Sequence, residues 1–128
     1  MNVAKPLVSV VDDDESVREA TKGLLEARGY SAETFSGAEE FLQSGHVEDT
    51  RCLITDVRMP GMNGIELQRR LVASRREIPV IFITARQDER TRLQALRAGA
   101  YGFLSKPFSE EGLIQCLVAA LRPTAAGA

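Results

Sequence analysis

The stretch Val10-Val11-Asp12-Asp13-Asp14-Glu15 joins the end of an apolar run directly to four consecutive acids. Two carboxylates about 4 Å apart repel each other by roughly 4 kcal/mol at an effective dielectric constant near 20, so the folded chain must offset this charge. Acids at the start of a helix are one explanation, because Asp and Glu are favoured in a first helical turn. A bound cation is the other, and the stretch alone leaves both open.

Short apolar runs that do not alternate with polar residues recur at Leu7 to Val11, Cys52 to Thr55, Val80 to Ile83 and Gly102 to Leu104. Such runs are typical of parallel strands that are buried on both faces. A fifth, more polar run around Tyr30 to Phe35 predicts an edge strand. Segments with the apolar spacing of helices separate the runs, so strands and helices alternate along the chain.

This alternation predicts an α/β fold, a (βα)5 doubly wound three-layer sandwich. With the polar second strand at an edge, the parallel five-stranded sheet is expected to have the flavodoxin-like order 2-1-3-4-5. Ligands of such sheets bind beyond the carboxyl ends of the strands, where strands 1 and 3 part. The functional groups are therefore expected at those strand ends.

Capping signals mark the predicted helices. Two pairs have the spacing of a side-chain cap answered three residues later, Ser36 with Glu39 and Asn63 with Glu66. Left-handed C-caps are predicted at three glycines, Gly29, Gly45 and Gly99. We expect one domain over residues 1–121 and a linker stub or disordered tail over residues 122–128, which begin with Arg122-Pro123.

The composition limits the possible functions. The chain has 128 residues, 44% of them hydrophobic, which is enough for a single core. A net charge of −2 argues against direct nucleic acid binding by this domain. Cys52 and Cys116 lack metal or redox spacing and are predicted to be reduced core residues. We find neither a signal peptide nor an apolar run near the roughly 20 residues of a membrane span, which predicts a cytoplasmic protein without membrane contact.

Groups capable of chemistry follow the four central strands: Asp12 and Asp13, then Asp56, Thr84 and Lys106. Taken singly, each is more often a cap or a solvated loop residue. Together, three carboxylates offer the hard oxygen ligands that suit an octahedral Mg²⁺. Lys106 and Thr84 suit the oxygens of a phosphoryl group, and an Asp beside Mg²⁺ can attack phosphorus.

Five motifs occur in order along the chain, Val11-Asp12-Asp13-Asp14, Thr55 to Gly64, Ile83-Thr84-Ala85, Ala98-Gly99-Ala100 and Leu104 to Phe108. The ordered set resembles the receiver domain of two-component response regulators over nearly the whole chain. The stretch from Phe35 to Leu42 and the loop after Asp56 are most similar to FixJ-like receivers, which are joined to LuxR-type helix-turn-helix output domains.

The resemblance implies that Asp56 accepts a phosphoryl group from a sensor histidine kinase. Asp13, Asp56 and the backbone carbonyl of Arg58 would ligate Mg²⁺ or Mn²⁺ directly, and Asp12 would do so mainly through water. Lys106 would contact the phosphoryl group. The domain would act as a signalling switch, not as an enzyme, and would catalyse only its own phosphotransfer and dephosphorylation.

The resemblance assigns no such role to Asp14 and Glu15, which we place at the start of the following helix. Thr84 would move to hydrogen-bond the phosphoryl group, and Phe103 would follow as the switch aromatic, although a plain core role at an edge strand fits Phe103 equally well. The face of helix 4, strand 5 and helix 5 would then change, form a homodimer and control a C-terminal helix-turn-helix domain in transcription.

Smaller features complete what the resemblance implies. Ala85 would leave the phosphorylation site accessible, and the Lys106-Pro107 peptide bond would be cis, against a base rate of roughly 5–6% for X-Pro bonds. Arg58 and Arg86 are hypothesised to shield the acyl phosphate from water and lengthen its lifetime. The alternative is that both reach into solvent or pair with the acids at positions 88 and 89.

Two other functions remain open from the sequence. A haloacid-dehalogenase-like phosphatase would use Asp12 to Ser16 as its Asp-x-Asp nucleophile and acid, but it needs a later acidic pair and gives no role to Asp56. Beyond Lys106 only Glu110 and Glu111 appear, at a helix start. A pseudo-receiver would mediate protein contacts without taking phosphate, and the complete set of acids, threonine and lysine argues against it.

Overall fold

The computed structural model describes residues 5–85 and 88–122, along which five strands and five helices alternate. Their bounds in chain order are β1 Leu7–Val11, α1 Glu15–Ala27, β2 Ser31–Phe35, α2 Ala38–Gln43, β3 Thr50–Asp56, α3 Gly64–Ala73, β4 Val80–Thr84, α4 Glu89–Arg97, β5 Gly102–Ser105 and α5 Glu110–Leu121.

The strands form one parallel sheet of order β2-β1-β3-β4-β5. The predicted (βα)5 three-layer fold and strand order are thus confirmed, with the polar β2 at one edge and β5 at the other. Val11 pairs with Thr55 and Asp56 pairs with Ile83. This register aligns the carboxyl ends of β1, β3 and β4, which brings the residues that follow them to one end of the sheet.

Side chains that alternate along the strands build two cores, one on each face of the sheet. Phe82 on one face packs with Leu67 and other residues of α2, α3 and α4. Ile54 on the other face packs with Leu25 of α1 and Leu117 of α5. The central strands are covered on both sides, which explains their continuous apolar runs.

Strand β3 is longer than its apolar run predicts, because two polar residues at its ends are satisfied inside the structure. The Thr50 hydroxyl donates to the His46 carbonyl over 2.7 Å and lies 2.7 Å from the Ser9 hydroxyl oxygen. Asp56 ends the strand within the site described below. Strands β4 and β5 each include one residue more than predicted, and β2 begins at Ser31.

Of the two predicted capping boxes, one is confirmed and the other is wrong. Asn63 and Glu66 cap α3 reciprocally, over 2.8 and 2.9 Å. Helix α2 instead has Gly37 at its N-cap without a side-chain cap, and Glu40, one residue beyond the predicted partner, accepts from the Ser36 amide over 2.7 Å. The three predicted C-cap glycines have positive φ angles of 93°, 82° and 98°.

The two cysteines are free, as predicted, and they differ in how deeply they are buried. Cys52 in β3 is buried, and burial raises the pKa of its thiol to about 12. Cys116 of α5 is half-buried and packs against the core on that face of the sheet, with its Sγ over Gly102 of the edge strand. The prediction of a core position is therefore confirmed for Cys52, and Cys116 lies at the margin of the core. Among the described residues, no helix has the length and apolar character needed to cross a membrane.

Candidate functional site

Three carboxylates converge at the carboxyl ends of β1 and β3. Asp12 and Asp13 follow β1 and Asp56 ends β3, and one carboxylate oxygen of each lies within 4.8 Å of the others. Asp12 is completely buried, Asp56 is nearly so and Asp13 is exposed. The predicted acidic cluster is thus present, with one side open to solvent.

Lys106 offsets the repulsion between the two buried acids. Its Nζ lies 2.7 Å from Asp12 Oδ2 and 2.9 Å from Asp56 Oδ2. Its backbone amide donates to the Thr84 carbonyl over 2.7 Å, which fixes the chain just after β5. Desolvation alone would lower the pKa of Lys106, but the hydrogen bonds and charges of the two carboxylates outweigh it, so the pKa is raised and the ammonium stays charged.

Asp12 is held by several groups. Burial raises the pKa of its carboxyl, while Lys106 and the Asp14 amide, which donates to Oδ1 over 2.9 Å, act in the opposite direction. The Arg18 guanidinium of α1 donates to the Asp12 carbonyl over 2.8 Å. The carboxylate therefore has a fixed position beneath the ammonium group of Lys106.

The Asp56 carboxylate is bound on both oxygens. Lys106 Nζ donates to Oδ2 over 2.9 Å, and the backbone amide of Arg58 donates to Oδ1 over 3.1 Å. Its side chain is 10% exposed. Asp56 is thus oriented from two sides and still reachable from solvent.

Two glycines shape the loop between Asp56 and α3. A Cβ at Gly64 would overlap the Asp56 carbonyl oxygen, so only glycine lets α3 begin this close to β3. Gly61 has a φ of 75°, and a Cβ there would lie 2.8 Å from a Glu39 carboxylate oxygen. That carboxylate accepts from the Met62 amide over 3.0 Å. Glu39, predicted to cap α2, therefore holds this loop instead.

The acidic cluster has the donor chemistry of a divalent metal site. Its three side chains offer hard carboxylate oxygens close together, which can bind a metal ion. The exposure of Asp13 leaves room for water on the ion, and the partly buried Lys106 lies against Asp12 and Asp56. The residues present therefore fit a hard cation with several water ligands.

Thr84 and Phe103 lie on the strands beyond the cluster. Thr84 ends β4, is buried, and stands one residue past the partner of Asp56. Phe103 pairs with Phe82 in the register of the edge strand β5 and is half-buried. It lines a cavity of about 250 Å³ with Ser105 and with three residues at the start of α4, Asp88, Glu89 and Arg92.

The other predicted residues have varied surroundings. Asp14 caps α1 by accepting from the Ser16 and Val17 amides, and Glu15 lies in the first turn, as predicted. Ala85 is exposed beside the site, and the Lys106-Pro107 peptide bond is cis, as predicted.

The two arginines of the shielding hypothesis differ in what the structure says of them. The guanidinium of Arg58 pairs with the Asp88 carboxylate over 3.5 Å, which was the alternative considered for it. Arg86 lies outside the described residues.

Two features were not predicted from the sequence. A groove of about 540 Å³ runs beside the site, between α1 and the chain after Lys106, and is lined by Val17, Leu24 and Phe108 among others. The apolar pair Pro107-Phe108 in a loop was the available signal for it. The second feature is the buried amide of Gln68 in α3, which donates to the Ala98 carbonyl over 3.0 Å. No motif marks that residue.

Comparison with known proteins agrees with this geometry. Residues 8–118 match the response regulator receiver domain family. The response regulator protein TodT of Pseudomonas putida is 41% identical over 116 residues, which are 91% of this chain and 51% of TodT. The transcriptional regulatory protein FixJ of Azorhizobium caulinodans is 40% identical over 114 residues, 89% of this chain and 54% of FixJ. The chain spans about half the length of these relatives.

Solved structures lead to the same group. The response regulator StyR superposes with a TM-score of 0.85 at 48% identity, covering 92% of this chain and 60% of the StyR chain. The FixJ-N structure gives a TM-score of 0.84 at 35% identity, covering 96% of this chain and 99% of that one. The similarity to FixJ-like receivers is thus found in both sequence and structure.

Proposed function

The chain belongs to the response regulator receiver domain family, and on that basis we propose that Asp56 is its phosphoacceptor. Receiver domains are phosphorylation-dependent signalling domains that take a phosphoryl group from a histidine kinase, and they are not enzymes with a separate substrate. The observation that carries the assignment to Asp56 is its carboxylate at the end of β3, beside two further acids and bound by Lys106.

The transfer proceeds by displacement at phosphorus. A carboxylate oxygen of Asp56 forms a bond to the phosphorus as the bond between phosphorus and the histidine nitrogen of the kinase breaks, and that nitrogen keeps the electron pair. The product is an acyl phosphate on Asp56. Lys106 already donates a hydrogen bond to Asp56, and after the transfer its ammonium group can donate to a phosphoryl oxygen instead.

The metal of this site is proposed to be Mg²⁺, with Mn²⁺ as a substitute. Asp13, Asp56 and the Arg58 carbonyl would hold it directly, and Asp12 would bind it through water. The all-oxygen donor set and the open side at Asp13 support this choice. When bound, the metal offsets the negative charge shared by the acceptor and the phosphoryl oxygens.

Thr84 and Phe103 are proposed to carry the signal away from the site. The Thr84 hydroxyl moves toward the phosphoryl group and donates a hydrogen bond to it. The Phe103 ring then turns inward, into the space that Thr84 has left. The cavity of about 250 Å³ beside Phe103 supports this role, because an aromatic ring that changes position needs space next to it. Ala85 keeps the approach to Asp56 open, and its exposure supports that role.

The surface formed by α4, β5 and α5 is proposed to be the output surface. Four large apolar side chains there are 41–50% exposed, Leu93, Leu96, Tyr101 and Val118. Exposed apolar residues that cluster on one face are typical of interaction sites. We propose that this surface forms a homodimer on phosphorylation and controls a C-terminal helix-turn-helix domain in transcription. We also propose that the domain ends at residue 121 and that the protein is cytoplasmic.

The kinase is proposed to dock on the groove between α1 and the chain that follows Lys106. Val17, Ala20 and Leu24 form one wall and Pro107 and Phe108 the other. The groove opens beside Lys106, so a helix bound there would present its histidine to Asp56. Its apolar lining suits the apolar face of such a helix.

The phosphatase alternative is not favoured. It requires Asp12 as a nucleophile, yet Asp12 has no exposed surface and its carboxylate is covered by Lys106. The family match also concerns receiver domains, in which Asp56 has a role.

Incubation with acetyl phosphate and Mg²⁺, followed by intact-mass spectrometry, tests the proposal. We expect one phosphoryl adduct, lost in Asp56→Asn and retained in the control Asp49→Asn, which changes an exposed acid outside the acidic cluster. An adduct that survives Asp56→Asn but is lost in Asp12→Asn would support the phosphatase. The absence of any adduct with acetyl phosphate or with a kinase would support the pseudo-receiver.

A further inference from the structure

Helix α4 is attached to the rest of the domain by few contacts. Only Thr91 and Ala95 of its nine residues are buried, whereas Leu93 and Leu96 face solvent. Its first turn lies between two cavities, one of about 250 Å³ beside Phe103 and one of about 180 Å³ next to α3. Packing contributes little to fixing the start of this helix, so polar contacts have a larger share.

Among the described residues, two polar contacts link α4 to the segment that follows Asp56, one near each end of the helix. At the start, the guanidinium of Arg58 lies 3.5 Å from the Asp88 carboxylate. At the end, the amide of Gln68 donates to the Ala98 carbonyl over 3.0 Å. Both partners belong to the segment that leads from Asp56 into α3, but only Arg58 is next to the acceptor.

Asp88 is the N-cap of α4, so the ion pair acts directly on the first turn. One carboxylate oxygen of Asp88 accepts from the Thr91 amide over 3.1 Å, and the other lies 3.2 Å from the Thr91 hydroxyl and 3.5 Å from Arg58. Arg58 thereby restrains the group that caps the helix.

Arg58 is also bound to the phosphoacceptor through its backbone, since its amide donates to Asp56 Oδ1. A phosphoryl group on Asp56 would bring a charge of about −1.5 to −2 and three strong acceptor oxygens to this point. A guanidinium can bind a phosphoryl group with two parallel hydrogen bonds. Its present partner, the Asp88 carboxylate, carries less charge and its side chain is 39% exposed, so the phosphoryl group is the stronger partner.

We propose that Arg58 exchanges partners, binding Asp88 in the unphosphorylated domain and the phosphoryl group after transfer, and that this exchange releases the start of α4. The inference rests on the proposed phosphorylation of Asp56. Gln68 keeps its contact at the other end of the helix, so α4 turns about that end.

The test compares the ratio of phosphorylated to unmodified chain at steady state, with limiting acetyl phosphate and Mg²⁺. Asp88→Asn removes the charge that binds Arg58 but preserves the cap, because Asn caps helices as well as Asp does. We expect the ratio to rise about 1.5- to 5-fold, the range of an exposed ion pair. In the Arg58→Gln background, Asp88→Asn should leave the ratio unchanged.

Glu89→Gln is the matched control. It makes the same change in net charge one residue away, at a side chain that pairs with Arg92 rather than with Arg58, and it should leave the ratio as it is in the unsubstituted chain. Equal ratios for Asp88→Asn and the unsubstituted chain would overturn the exchange of partners, as would a rise that persists in the Arg58→Gln background. No adduct in any chain would overturn the proposed function itself, and the inference with it.

Discussion

Two neighbouring regions of this domain, here called the acceptor half and the response edge, differ in how much of each is buried. The acceptor half consists of β1, β3 and α3, and α3 alone buries five residues and closes a capping box. The response edge consists of α4 and β5, in which α4 buries two residues and all of β5 is only half-buried. The three clustered acids Asp12, Asp13 and Asp56 lie in the acceptor half, and the helix that we expect to respond lies in the response edge.

This difference suggests how a small charge at one point can change a distant surface. Lys106 holds Asp12 and Asp56 together through two short ion pairs, neither of which involves a residue of α4. A helix with few buried contacts has alternative positions of similar free energy, so a single altered polar contact can select among them.

Truncation of a leucine in each helix should reveal the largest difference between the two regions. Leu67→Ala in α3 removes a fully buried side chain and should lower the free energy of unfolding by about 2–5 kcal/mol. Leu93→Ala in α4 alters a side chain that is 41% exposed and should change it by about 0.5 kcal/mol or less. Urea unfolding measures the free energy of unfolding of both variants, provided that their m-values are equal. An equal loss in the two variants would contradict the difference in burial between α3 and α4.

Metal binding should stabilise the acceptor half. Mg²⁺ at one hundred times its dissociation constant should raise the free energy of unfolding by about 2.7 kcal/mol. Asp13→Asn should largely remove this gain, since Asp13 is one of the proposed direct ligands. Asp14→Asn is the control, because Asp14 caps α1 and Asn serves equally as a cap. Thermal unfolding with and without Mg²⁺ tests this, and an undiminished gain in Asp13→Asn would exclude that residue as a ligand.

The capping box should contribute to the firmness of α3. Asn63→Ala leaves the Glu66 amide without its acceptor and should cost about 1 kcal/mol of stability. Asn63→Asp retains an acceptor and should cost much less. Chemical denaturation compares the two variants, and an equal cost for both would mean that the cap itself is not the cause.

Phe103→Leu should have a small effect on stability and a clear effect on signalling. The residue is half-buried on an edge strand, so we expect a loss below about 1.5 kcal/mol. If Phe103 couples the site to the output surface, the variant should still form the phosphoryl adduct but lose the change at α4. Adduct mass and amide exchange, measured on the same sample, separate the two. If α4 of the variant shows the same change in amide exchange as α4 of the unsubstituted chain, Phe103 is a core residue only.

Much of the acceptor half was predictable from the sequence, because its signals are local. The run from Leu7 to Val11 is the whole of β1, and Asp12, Asp13 and Asp56 stand at strand ends that parallel pairing must bring together. The order of the strands followed from one polar strand, β2. Asn63 and Glu66 lie within one helical turn, so their spacing was sufficient to predict the cap.

The remaining features depend on contacts between distant segments. Spacing suggested Glu39 as a helix cap, but the structure turns it toward Met62 in the loop after Asp56. The contact of Gln68 with Ala98 and the pairing of Arg58 with Asp88 depend on where α4 lies against α3. Residues at helical spacing predict that α4 exists, but they do not reveal how little of it is buried.

Hydrogen exchange of the backbone amides in α3 and α4, followed by mass spectrometry, tests the central claim most directly. With acetyl phosphate and Mg²⁺, exchange in Glu89–Arg97 should change while exchange in Gly64–Ala73 stays the same, and Asp56→Asn should show neither change. Two results would contradict the division into an acceptor half and a response edge. One is an equal change in exchange in the two helices, and the other is unchanged exchange of α4 in a chain that carries the phosphoryl adduct.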